Sequence, residues 1–407
     1  MRILMVSEDL PAQGMGGLAR HVLALSRALV AAGHQVDLMG NDDELISATG
    51  EALDIDGHFI PALHGQFDGW KEFALGSFIP YKRSVIAHRF ARAILRRAGN
   101  YDVIHYHGHL PNIAYFIPSN INFIQTRHDQ GSDCLIHTRF TRGQICRATD
   151  PGTCAQCRSE RSNRLQRSVS AIAVRQYRAQ VAAGFKRHKT VFVSDFLRRN
   201  VARTFGPGPW GVTVHNFIDT RAVQTARTMS GRWSDDDRLQ VFIAAKLYAA
   251  KGVTQFLETL TSPQYQRLDI SVAGDGPDLE ALSMRFPYVD FLGWRSGVES
   301  LQLAAGAQAI VVPSICEEAC ASTIIEGLLL GKTVFALNLG GTPELQAYES
   351  APMQLRLYPA MVALVEGLLA FQPHPDFALS PRTPTGSAEA AGRLLALYRL
   401  PPGPITH

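Results

Sequence analysis

Pro313-Ser314-Ile315-Cys316-Glu317-Glu318, continued by Glu326, Gly327 and Gly331, is the stretch that decides how this chain is read. The apolar run at residues 309–313 ends in Pro-Ser and reads as a buried strand leaving a sheet. Glu318 falls on the loop after that strand, and Glu326 falls inside a helix expected to begin near Ser322. A carboxylate accepts two hydroxyl hydrogen bonds, which suits the diol of a ribose or a sugar. The first turn of the helix offers unsatisfied backbone N–H groups and the positive end of a dipole, which suits a diphosphate or a sugar. Two glutamates at this spacing on an arbitrary helix are more often solvated surface. The strand in front of them changes that, because it sets them at the carboxyl edge of a sheet.

Neighbouring segments fit the same edge. The strand at 241–245 runs into Lys246, and Lys251-Gly252 follows at a helix start, so two cations flank a helix N-terminus. Alone they read as solvated lysines at a turn; beside the glutamates they read as an anion site. Gly274-Asp275-Gly276-Pro277 is a tight strand-to-helix turn. Strands are expected at 239–246, 268–273, 289–292, 309–313 and 333–337, with helices between them. Toward the N-terminus, residues 2–7 form an apolar strand and 8–17 a loop rich in Gly and Pro. Leu18, Val22, Leu25 and Leu29 then recur at helical spacing up to Gly33. Further strands are expected at 101–106, 122–126 and 190–194. The fold class is therefore α/β, with two doubly wound Rossmann-like halves. The domains are expected at 1–218 and 219–380, with a helix and tail at 381–407 returning to the first. Residues 221–238 read as a polar linker or insertion.

These residues in this order resemble glycosyltransferase family 4, the retaining GT-B enzymes, over nearly the whole chain. Gly16-Gly17 before a helix is similar to the family's glycine loop, and Asp102-Val103-Ile104-His105 to its Asp-apolar-apolar-His strand. Thr126-Arg127-His128-Asp129 is similar to the strand end whose His lies beside the reacting sugar, and Asn216-Phe217-Ile218-Asp219 to the hinge. Glu318 through Glu326 matches the Glu-seven-Glu signature, and Gly340-Gly341-Thr342-Pro343-Glu344 the glycine pair downstream. The resemblance implies two facing domains with a cleft, a nucleoside diphosphate sugar donor, and transfer with retention of configuration. Lys246 and Lys251 would hold the departing diphosphate with Gly16 and Gly17, needing no catalytic metal. Glu326 would hold the ribose, Glu318 the sugar hydroxyls, with Ala321 and Ser322 at the donor; His128 would sit over the sugar. The sequence departs from the family pattern in Lys246, where an Arg is usual, and in Ala319-Cys320-Ala321-Ser322, where Ala321 carries a Cβ in place of Gly. That segment is the sole support for the alternative of a degenerate GT-B protein that binds a nucleotide sugar or a partner without transfer.

Cys134, Cys146, Cys154 and Cys157 cluster after His128-Asp129, the last two in C-x2-C spacing. In a cytosolic enzyme such a set is more often a metal site than a disulfide framework, so a structural zinc is expected, against the alternative of four reduced thiols.

Charge is uneven: residues 1–218 hold 26 Lys and Arg against 17 Asp and Glu, and 219–407 hold 14 against 19. The basic half suits an anionic acceptor, lipid-linked or otherwise, or peripheral contact with a membrane face. Lys82, Arg83, Arg89, Arg92, Arg96 and Arg97 share a segment with Val85, Ile86, Phe90, Ile94 and Leu95, the pattern of a basic amphipathic helix. Arg158, Arg161, Arg164 and Arg167 repeat at helical spacing, but no aromatic platform accompanies them, and a nucleic-acid reader is set aside. The first strand lacks a GxGxxG with a following acid, which disfavours a nicotinamide enzyme, and Ser314 lacks a nucleophile elbow. No apolar run reaches the ~20 residues of a membrane span, so a cytoplasmic location is expected.

Overall fold

The computed structural model describes residues 1–10, 17–41, 58–63, 79–157, 164–218, 220–229, 237–378 and 386–405. The chain forms two compact units: one of Met1–Thr141, Cys146–Asn216 and Ser387–His407, the other of Arg142–Ile145 and Phe217–Gly386. The final helix, Ser387–Tyr398, thus belongs to the first unit.

In the first unit, strands β1 (Arg2–Val6), β2 (Gln35–Asn41), β3 (Phe59–Leu63), β4 (Val103–His107), β5 (Phe123–Arg127), β6 (Lys189–Phe192) and β7 (Val212–Thr213) form one parallel sheet in the order 3-2-1-4-5-6-7. β4 and β5 are buried at every position, as strands covered on both faces must be. The second unit repeats the scheme. Strands β8 (Leu239–Ala244), β9 (Leu268–Ala273), β10 (Asp290–Gly293), β11 (Ala309–Val312), β12 (Thr333–Leu337) and β13 (Leu355–Tyr358) lie parallel in the order 10-9-8-11-12-13. In each sheet the winding reverses beside the first strand, between β1 and β4 and between β8 and β11. Ligands of open parallel sheets bind outside the carboxyl ends at such a reversal.

One sequence expectation is corrected. Residues 221–238 are not simply a linker, because Thr220–Met229 is a helix. Val223 and Ala226 are buried in the core that contains Phe242, Leu301 and Ile324. Two apolar residues three apart on one helical face are enough to dock an otherwise polar helix.

Candidate active site

In the second unit the reversal is knitted by backbone. Ile315 N–H donates to Ala250 O at 3.0 Å, Leu247 N–H to Asp275 O at 2.8 Å, and Gly341 N–H to Glu318 O at 2.8 Å. Gly252 has φ +68°, and a Cβ there would stand 2.0 Å from Pro313 O. Gly340 has φ +61°, with Glu318 O 2.6 Å from the position of a Cβ. No L side chain fits either place without moving the loop that carries Glu318.

These loops bring Lys251 and Glu318 together. Lys251 Nζ donates to Glu318 Oε1 at 2.5 Å, and Ser314 Oγ donates to the same oxygen at 2.8 Å. Burial pushes the Glu318 carboxyl up, but Lys251, reinforced by the Ser314 hydroxyl, outweighs it and holds the group below its ordinary value. Burial likewise pulls the Lys251 ammonium down, and Glu318 more than reverses it. Both remain charged at neutral pH. The helix Ser322–Leu329 begins three residues after Glu318's neighbour Ala319, and Ala321 at its N-cap supplies no side-chain cap. Ala321 has no side-chain oxygen to accept from the first N–H groups of the helix. Ser322 and Glu326 are half-buried, four residues apart on one face of that helix. Lys246 is exposed at the end of β8.

In the first unit, Gly17 is the exposed first residue of the helix Gly17–Ala31; Gly16 lies outside the described residues, as do Asp219, Arg158 and Arg161. His128 stands directly after β5. His128 Nε2 and His107 Nδ1 share a hydrogen bond of 3.0 Å, and burial holds both imidazoles well below their ordinary pKa. Asp129 is the centre of a second network. Its Oδ2 lies 3.0 Å from both His109 Nδ1 and His137 Nδ1, and its Oδ1 accepts from Gly131 N–H at 2.7 Å. Burial raises the Asp129 carboxyl, and His137 and His109 together bring it well below its usual range. His109 also faces Asp9 at 3.3 Å; burial opposes its protonation, but the two carboxylates carry its pKa well above the ordinary value.

The loop after Asp129 is bent. His137, Arg139 and Arg142 all have positive φ, between 47° and 60°. Arg139 is held by Asp133, which also receives the Thr204 hydroxyl, while Arg178 donates to Asp133 O at 2.8 Å and Tyr177 OH to Gly131 O at 2.8 Å. Strained backbone of this kind persists only when its surroundings over-determine it. Arg83 belongs to this framework rather than to an exposed basic face: it is buried and donates to Leu135 O at 2.6 Å. Arg178 is likewise buried.

The four cysteines are free thiols. Arg178 donates to Cys154 Sγ at 3.1 Å, and Cys157 Sγ lies 3.8 Å from Thr141 Oγ1. Burial pushes the Cys134 thiol up to about 12. Four thiolates on one zinc bring their sulfurs about 3.8 Å apart, given Zn–S of about 2.3 Å. Among the described residues, no three of these sulfurs lie within 4.8 Å of one another. With the side chains in these positions the closed site is not formed.

The second-unit pattern was visible in the sequence; the Lys251–Glu318 contact was not, because 67 residues separate the partners. Sequence reading also missed His21, His107 and His109. The run His105-Tyr106-His107-Gly108-His109 on a strand end was the available signal.

The sequence profile of Glycosyltransferase Family 4 matches residues 15–222, and that of Glycosyl transferases group 1 matches residues 238–363. The chain is 24% identical over 372 residues to an uncharacterized glycosyltransferase of Methanocaldococcus jannaschii, covering 86% of this chain and 83% of that protein. It is 26% identical over 376 residues to the glycogen synthase of Mycobacterium tuberculosis, covering 84% and 80%. Among solved structures, Anabaena Alr3699/HepE in complex with UDP superposes with a TM-score of 0.56 at 14% identity, over 98% of this chain and 96% of that one. That likeness identifies the fold as GT-B.

Proposed function

Because the chain belongs to glycosyltransferase family 4 and is a glycosyltransferase by that membership, we propose that it moves a sugar from a nucleoside diphosphate to an acceptor hydroxyl with retention of configuration. The observation that carries this reading is the Lys251–Glu318–Ser314 cluster beside the uncapped start of the helix Ser322–Leu329. An ammonium and the N-terminal end of a helix at one sheet edge match a diphosphate. Carboxylates at Glu318 and Glu326 match the hydroxyls of a sugar and a ribose. The C1–O bond to the diphosphate breaks, and the acceptor oxygen bonds to C1 from the same face. The acceptor proton passes to a phosphate oxygen of the leaving group. Lys251 and Lys246, with Gly16 and Gly17, offset the charge that builds on the diphosphate, so that no divalent ion is required there. In this reading His128 is assigned to the donor sugar, and Ala321 and Ser322 to the donor. The HepE structure holds UDP, which makes UDP-sugars the first donors to try.

The acceptor is proposed to be anionic or lipid-linked, in surface glycan or glycoconjugate synthesis, with the protein working at the inner face of a membrane. The helix Ile79–Leu95 supports this: Lys82, Arg89 and Arg92 are exposed on it, and Val85 is 59% exposed. Among the described residues, no helix is long and apolar enough to cross a membrane. Thermal shift with UDP-, GDP-, ADP- and dTDP-sugars tests the donor. One of these stabilises the wild type and fails to stabilise Lys251→Ala. A panel in which none shifts the melting point contradicts the proposal.

A further inference from the structure

Three histidines of the first unit meet on one spot. His21 comes from the helix Gly17–Ala31, His107 is the last residue of β4, and His128 follows β5. A ligand nitrogen from each lies within 4.8 Å of the others. The ring centroids are 4.7 Å apart for His21 and His128, 5.3 Å for His107 and His128, and 5.4 Å for His21 and His107. Metal–imidazole bonds of about 2.0–2.1 Å, with ring centres about 1 Å beyond the nitrogen, put three tetrahedrally disposed rings about 5 Å apart. The observed triangle has that size on all three sides.

The triad has the donor state and the support that a metal needs. His107 is fully buried, and its Nε2 is without a hydrogen-bond partner. A buried nitrogen left unsatisfied costs about 1–3 kcal/mol, so a ligand that meets it removes a standing penalty. Burial holds all three imidazoles neutral, the form that binds metal. The Asn216 side chain hydrogen-bonds to His21. His105 backs His107 with ring centroids 4.0 Å apart, its own nitrogens taken by Tyr398 OH and Thr126 Oγ1, each at 2.7 Å. Groups that fix ligand rings in this way orient a metal site. His128 is the half-buried member, which leaves the site reachable from its side. The neighbouring triad of His109, Asp129 and His137 differs: its imidazole nitrogens are already committed to carboxylates and to Arg83.

We propose that His21, His107 and His128 form a three-imidazole site for a divalent transition ion of the zinc class, with the fourth position open to solvent or to a ligand. Binding gives His107 Nε2 the partner it lacks. A second consequence rests on the function proposed above: an ion held by His128 withdraws that ring from the donor sugar, so metal slows transfer and chelation restores it.

Cobalt(II) titrated into the chelator-stripped full-length protein tests the site, because cobalt reports its ligands by colour. The expected result is one equivalent bound outside the cysteine cluster, with visible ligand-field bands. His128→Asn and, separately, His21→Gln weaken that binding at least ~10-fold, while Cys154→Ser and His137→Asn retain it. Melting temperatures of the metal-free variants show that each is folded. X-ray absorption of zinc-loaded Cys154→Ser gives imidazole scattering and reads the donors of this site apart from any zinc on the thiolates. The proposal is overturned by thiolate-to-cobalt charge-transfer bands with no other cobalt feature. It is equally overturned by the absence of stoichiometric binding, or by binding unaltered in a folded His128→Asn. If no donor sugar supports transfer in any preparation, the proposed function fails, and the cobalt result still decides the metal site.

Discussion

Replacing Lys251 by Ala perturbs the candidate donor site at the Lys251–Glu318 ion pair. The Lys251 and Glu318 side chains are 23% and 17% exposed, so the pair is largely but not wholly withdrawn from water. Breaking a fully buried pair costs about 3–5 kcal/mol because one charge is left uncompensated, and partial exposure brings the expected loss of stability to about 1–3 kcal/mol. The same ammonium is assigned to the departing diphosphate, where a charge-assisted hydrogen bond contributes about 1.5–3 kcal/mol. That corresponds to a fall in kcat/KM of about ten- to 150-fold. The pH dependence follows from the shifts. Glu318 is held below its ordinary 4.5, so its contribution is present above 4.5 and fades as pH drops through the lowered value. Lys251 is held above its ordinary 10.5, so its contribution is complete below 10.5 and fades only at higher pH. The melting-point gap between wild type and Lys251→Ala is therefore widest between those limits and narrows in acid. Steady-state kinetics at saturating acceptor and calorimetric titration of the nucleoside diphosphate measure the two effects. A variant whose kcat/KM and diphosphate affinity stay within twofold of wild type, while its stability falls, refutes the phosphate role and leaves Lys251 as a structural partner of Glu318.

Glu326→Ala is expected to raise the donor KM about tenfold or more through the lost ribose contact, with the free nucleoside diphosphate weakened in parallel, as inhibition constants will show. Asp129→Asn removes the anion between His109 and His137 and is expected to cost about 2–3 kcal/mol. Because Asp129 is shifted down from 3.8 and His109 up from 6.5, that cost is full between those values. It shrinks in stronger acid and as His109 loses its proton well above 6.5, which thermal melts across pH will resolve. The C-x2-C spacing alone leads us to propose a structural zinc on Cys134, Cys146, Cys154 and Cys157, reached by turning side chains that are not now gathered. Elemental analysis of wild type against Cys154→Ser decides it, and equal metal content in the two ends that proposal.

Most of the donor half was legible in sequence because its signals are local. A strand ending in Pro-Ser, a glycine turn and a helix start lie within a few residues of each other, and backbone geometry does the rest. Gly252 and Gly340 show why: each is required by a close approach of backbone that only glycine permits. The first unit was less legible. His21, His107 and His128 come from three elements brought together by sheet order, and no spacing rule encodes that meeting. Arg83 looked like an exposed basic residue, and the Leu135 carbonyl in the loop after Asp129 claimed it. The helix Thr220–Met229 was hidden because two small apolar contacts dock it.

The central claim, retaining transfer from a nucleoside diphosphate sugar by the Lys251–Glu318 site, is tested most directly by the anomeric configuration of the first product. The purified chain is supplied with the donor identified by thermal shift and with an acceptor alcohol, and the product is followed by proton NMR as it forms. The account predicts an α-linked product from an α-linked donor, formed by wild type and reduced in Lys251→Ala by about ten- to 150-fold. A β-linked first product, or equal rates for the two proteins, contradicts it.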